Sequence, residues 1–105
     1  MTKVSFYFED ELLSGFCIQG HSTVSAEDDE GRLICSAISS AAYMTSNTIT
    51  EIVGADAKIS VKDGEMVLKV KNEFESALPI LSGFMLHIKE LSKQYPDYIV
   101  LTTEV

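Results

Sequence analysis

From Lys3 to Glu9 the chain alternates, with Val4, Phe6 and Phe8 on one side and Lys3, Ser5, Tyr7 and Glu9 on the other. A period of two in β-prone residues predicts a half-buried strand. The acidic run Glu9-Asp10-Glu11 turns the chain, and Leu12 to Gln19 forms a second strand, interrupted by Gly15 and ending at Gly20-His21. Apolar positions then fall at helical spacing from Ile34 to Val53, where Ile34, Ala37, Ile38, Ala41, Ile49 and Ile52 share a side and Gly54 is placed to cap the end. Two short alternating runs, Lys58 to Lys62 and Glu65 to Lys71, flank Asp63-Gly64, a turn dipeptide that supplies positive φ for a hairpin. A second helix is expected from Ser76 to Gln94, with Leu78, Leu81, Met85 and Ile88 on its apolar side. With Ser76 as its cap, Pro79 falls in the first turn, where a missing N–H breaks no helical bond. Tyr95-Pro96 closes that helix, and Tyr98 to Thr102 reads as a final strand. The order β-β-α-β-β-α-β implies an α+β fold, one domain over residues 1–105 with two helices packed on a sheet.

Composition narrows the function classes. At 105 residues and 46% hydrophobic content the chain can bury a core, near the lower end of comfortable domain size. The net charge is −8, and residues 1–31 hold seven acids against one lysine. Eight scattered basic residues do not make a phosphate-binding surface, so direct nucleic-acid binding is not expected and a basic partner fits better. Surface acids also serve solubility alone. No stretch has the ~20 apolar residues of a membrane span, and no signal-peptide pattern opens the chain, so a cytoplasmic protein without membrane contact is expected. With no Cys-x-x-Cys and no histidine cluster, neither a zinc site nor another cofactor is implied.

The candidate chemistry lies between Gly20 and Ile52. Cys35 stands at the start of the first expected helix, where unpaired amides and the helix dipole favour a thiolate. His21 is fourteen positions earlier, across a polar connection from Ser22 to Arg32 long enough to fold back, and a base within reach completes a nucleophile–base pair. The amides near Cys35 and Ser36 are candidate oxyanion donors, and Ser39 lies one turn on along the same helix face. The Ser22 to Arg32 connection, without apolar anchors, is a candidate gate. A free cysteine is more often a small buried hydrophobe, and Cys17, between Phe16 and Ile18, is read that way.

Gly20-His21, the acidic connection, Ile34-Cys35-Ser36-Ala37-Ile38-Ser39 and the closing Tyr95-Pro96-Asp97-Tyr98-Ile99 together resemble the ribosomal-processing cysteine protease family, Prp. The resemblance spans the chain. It implies a cysteine endopeptidase with Cys35 as nucleophile and His21 as general base and acid. Ser39 then corresponds to a serine of the family pattern. The implied substrate is the N-terminal extension of large-subunit ribosomal protein twenty-seven, cut next to aromatic residues, and the implied assembly is a homodimer. The chain departs from the family pattern before the nucleophile, where Arg32-Leu33-Ile34-Cys35 stands in place of Asp-Ile-Val-Cys. If an acid is needed there, Asp28, Asp29 or Glu30 must supply it. Two other readings remain open on the residues: a thiol hydrolase or acyltransferase of a small molecule, and a non-enzymatic acidic dimeric module that binds a ribosomal protein or assembly intermediate.

Overall fold

In the computed structural model, which describes residues 1–20 and 28–104, the chain forms a five-stranded sheet with two long helices. Strands β1 (Thr2–Glu9) and β2 (Leu12–Gly20) pair antiparallel, as do β3 (Ala57–Lys62) and β4 (Glu65–Val70). The sheet order is β3-β4-β2-β1-β5, with β5 (Ile99–Glu104) parallel to β1. The first turn uses Asp10 and Glu11, both at positive φ (50° and 67°), the type I′ geometry whose twist matches that of the flanking strands. In the second, Gly64 alone carries positive φ, at 75°. Opposite Tyr7 and Phe8 the β2 strand holds one extra residue, Ser14, whose hydroxyl donates to the Tyr7 carbonyl at 3.2 Å.

Alternation places Val4, Phe6, Phe16, Met66 and Leu68 on the face that meets the helices. Phe84 of α2 (Phe74–Gln94) fills the centre, its ring 4.6 Å from that of Phe16 and 5.9 Å from that of Phe6. Lys3, Ser5, Tyr7, Cys17, Gln19 and Lys69 point to the opposite face, so the fold is two-layered. Among the described residues, no helix is long and apolar enough to cross a membrane.

Helix boundaries differ from the sequence expectation in three ways. Helix α1 spans Asp29–Asn47 and starts five residues before Ile34. The reason is local: the Asp28 carboxylate accepts the Gly31 N–H at 2.9 Å, and Asp29 and Glu30 in the first turn complement the helix dipole. The expected connection from Ser22 to Arg32 therefore ends at Asp28, and its part within residues 21–27 lies outside the described residues. Second, Thr48–Val53 continues as a π-helix to Gly54, which caps it at φ 78° as expected. Hydroxyls of Thr45, Ser46, Thr48 and Thr50 all donate to carbonyls four residues back, at 2.7–3.0 Å, competing with the amides that would hold a regular helix. The wider turn changes the phase, so Ile52 faces solvent at 80% exposure instead of the core.

Third, α2 begins at Phe74, not after a Ser76 cap. Glu73 occupies the cap position in a left-handed conformation without a side-chain bond, and its carbonyl accepts the Ala77 N–H at 3.0 Å. The additional residues pack Phe74, half-buried, against the core, which outweighs the bond that Pro79, now in the second turn, cannot donate to the Glu75 carbonyl.

Candidate active site

A cleft opens between α1 and the β3–β4 hairpin. Its volume is ≈ 160 Å³. Helix α1 contributes Cys35, Ile38, Ser39 and Tyr43; the hairpin contributes Val61, Lys62, Gly64, Glu65 and Met66; Thr2, Ile18 and Gly20 complete the wall. Cys35, Ser39 and Tyr43 recur every four residues, so a single helix face presents all three. That face is aimed by burial on the adjoining one, where Ile34, Ile38 and Ala42 are almost fully enclosed.

Cys35 is half-buried, and it sits in the second turn of α1, not at the helix start. The amides of Cys35 and Ser36 are therefore inside the helix, where amides bond to carbonyls one turn back. The free-amide argument for an oxyanion site at these two positions does not survive the earlier helix start. Ser36 is exposed and does not line the cleft, whereas Ser39 does. His21 lies outside the described residues. Its chain neighbour Gly20 is part of the cleft wall at φ 85°, and the Gly20 N–H donates to the Gly64 carbonyl at 2.9 Å.

Electrostatics separate the two thiols. Cys17 is buried on the sheet face away from the helices, so the sheet stands between it and Cys35, and no disulfide joins them. Burial pushes the Cys17 thiol up, further than its hydrogen bond with Tyr7 brings it down. Tyr7 is pushed up to about 12 by its own burial, then by that hydrogen bond and the neighbouring Cys17. Across the β2–β4 pair, Gln19 donates to Glu65 at 3.2 Å. His87 faces a separate groove between the helices, beside Met44 and Pro79. Among the described residues no cluster of three His, Cys, Asp or Glu side chains could hold a metal ion.

The thiol and Ser39 were legible in the sequence; the far wall was not. Val61, Lys62, Glu65 and Met66 carry no chemical motif, and only the sheet order, with β3–β4 joined to β2, brings the Asp63-Gly64 hairpin opposite α1.

A sequence-family model described as cysteine protease Prp matches residues 1–100. No curated protein matches the chain. Among solved structures, the essential ribosomal processing protease Prp from S. aureus, bound covalently to a product peptide, is 18% identical with a TM-score of 0.87, over 99% of this chain and 100% of that one. The same protease with a substrate peptide gives 17% identity and a TM-score of 0.87, over 99% and 100% of the two chains. SMU.848 from Streptococcus mutans gives 17% and 0.85, over 98% of this chain and 96% of that chain. At these identities the structural likeness establishes a shared fold.

Proposed function

The chain belongs to the cysteine protease Prp family, and from that premise we propose that it removes the N-terminal extension of large-subunit ribosomal protein twenty-seven with Cys35 as its nucleophile. The observation that carries this reading is the placement of a half-buried thiol in the wall of a cleft whose lip, Gly20, is bonded in sequence to His21.

In the proposed reaction His21 takes the Cys35 proton, and the thiolate attacks the scissile carbonyl to form a tetrahedral intermediate. That intermediate collapses as His21 returns the proton to the leaving amine, which leaves a thioester between Cys35 and the acyl part of the peptide. Water, deprotonated by His21, then releases the acid and restores the thiol. Ser39 supports this chemistry by offering a hydroxyl one helix turn from the sulfur, on the cleft side, as a donor to the developing oxyanion. Ser36, which does not line the cleft, is the weaker of the two supporting candidates.

A cleft of ≈ 160 Å³ matches the size of cavity, about 150 Å³, that holds one six-membered ring. Ile18, Ile38, Tyr43, Val61 and Met66 give it apolar walls, which suits cleavage beside an aromatic residue. The S. aureus relative is a ribosomal processing protease seen in complex with a substrate peptide and with a covalently linked product peptide. The acidic net charge, −8, suits a basic ribosomal substrate met in the cytoplasm. Exposed Leu33, Met44, Ile52 and Leu86 on the helices are apolar surface that a homodimer would cover.

The test is incubation with a peptide spanning the N-terminus of ribosomal protein twenty-seven from the same genome, read by mass spectrometry. The wild type should cut once beside an aromatic residue, and Cys35→Ala should not cut while keeping its fold. An uncut peptide, together with a Cys35 that resists iodoacetamide until denaturation, would favour the non-enzymatic binding module.

A further inference from the structure

We infer that Tyr98 is a positioning residue for the proposed reaction, its hydroxyl holding the start of the Cys35 helix through Asp28. The inference rests on Cys35 being the nucleophile. Tyr98 precedes β5 and is built into the sheet by its backbone: its carbonyl accepts the Thr2 N–H at 2.8 Å, and its own N–H donates to the Tyr95 carbonyl at 3.0 Å. The ring packs, half-buried, against the core. From this fixed point the hydroxyl donates to Asp28 Oδ1 at 3.4 Å, the same oxygen that accepts the Gly31 N–H at 2.9 Å. Asp28 is the cap of α1, which carries Cys35 into the cleft, and Thr2 lines that cleft. One residue thus holds the cleft wall with its backbone and the nucleophile's helix with its side chain.

Of the three acids before Arg32, Asp28 is the one so placed. Asp29 is exposed and paired with Arg32 at 2.6 Å, and Glu30 is exposed. The Tyr98 phenol is kept in its donor form: partial burial raises its pKa, and the carboxylates of Asp28, Glu30 and Asp97 raise it further. At the other end of the intervening stretch the Gly20 N–H is bonded to the Gly64 carbonyl at 2.9 Å. The stretch that includes His21 therefore joins two anchored residues, Gly20 on the hairpin turn and Asp28 on Tyr98. Cys35 rides on the helix that Asp28 caps, so its alignment in the cleft depends on that anchor, because small displacements of a reacting group are costly.

Tyr98→Phe removes the hydroxyl and keeps the ring. The variant should melt close to wild type, lose about tenfold in kcat/KM, chiefly in kcat, and slow iodoacetamide alkylation of Cys35; ~100-fold is what a full 1 Å misplacement can cost. Asp28→Asn keeps an oxygen at the same position and should retain most of the activity, because the role is geometric. Wild-type kcat/KM and alkylation rates in Tyr98→Phe would overturn the inference, as would an activity loss that only follows a matching loss of thermal stability. Cleavage by Cys35→Ala at the wild-type rate would instead overturn the nucleophile assignment, a separate outcome. If no peptide is cut, the alkylation rates decide the role of Tyr98.

Discussion

Replacing Gly20 by alanine puts a methyl group where the backbone conformation and the space are both unfavourable. Gly20 has φ 85°, and a Cβ there would stand 2.7 Å from the Met1 carbonyl oxygen. The left-handed conformation costs an L-residue about 1–2 kcal/mol. The contact is with a backbone atom beside buried Thr2 and adds about 1–3 kcal/mol. A total of about 2–5 kcal/mol lowers the melting temperature by about 10–40 °C in a domain of this size. Gly54→Ala is the internal control: φ is 78°, but nothing lies within 4 Å of the added Cβ. It should bear the conformational cost alone, about 5–10 °C, and keep full activity. Gly20→Ala moves the lip of the cleft and the residue bonded to His21, so kcat/KM should fall about tenfold or more at a temperature where both variants are folded. Thermal melts by circular dichroism and peptide cleavage at 20 °C measure both. A Gly20→Ala protein that melts no lower than Gly54→Ala, or cuts as fast as wild type, would refute the reasoning.

Gly83 lies inside α2, and its added Cβ would meet nothing within 4 Å, so Gly83→Ala should stabilise by about 0.5–1 kcal/mol in urea unfolding with an unchanged slope. Phe84→Ala empties the space between Phe6 and Phe16 and should cost about 3–5 kcal/mol by the same assay. Stability should fall in alkaline solution. Tyr7 and Cys17 have folded-state pKa values raised from 10.0 and 9.0, so the unfolded chain loses their protons first; the Cys17 contribution begins to fall above about pH 9, and that of Tyr7 is lost as pH rises from about 10 toward about 12. Tyr7→Phe should flatten the fall in urea midpoint between pH 9 and pH 11, and an unchanged pH dependence would show that Tyr7 does not carry it.

The five strands were legible because alternation in Val4-Phe6-Phe8 and the turn at Asp63-Gly64 are local signals of strand and hairpin. The helix starts were not, for opposite reasons. Asp28 is an ordinary N-cap, but it stands inside an acidic run that reads equally well as a solvated connection, and Ile34 is the first residue with apolar periodicity. At α2 the local signal favoured Ser76, and packing of Phe74 against the core overrode it. Phe84 escaped notice because the stripe through Leu81, Met85 and Ile88 fits the helical period nearly as well, and only contact with Phe6 and Phe16 identifies the packed side. Of the site, Cys35, Ser39 and Gly20 could be read from motif and spacing. The opposing wall could not, because it depends on β4 pairing with β2, which brings residues 61–66 beside α1.

The most direct test of Cys35 as the protease nucleophile is to treat the folded protein with an acyloxymethyl ketone built on the extension peptide, then locate the adduct by tryptic mass spectrometry. A single adduct on Cys35, absent from Cys17, blocked by excess uncut peptide and lost in His21→Ala, is the predicted result. No adduct on Cys35, or equal labelling of Cys17, would contradict it.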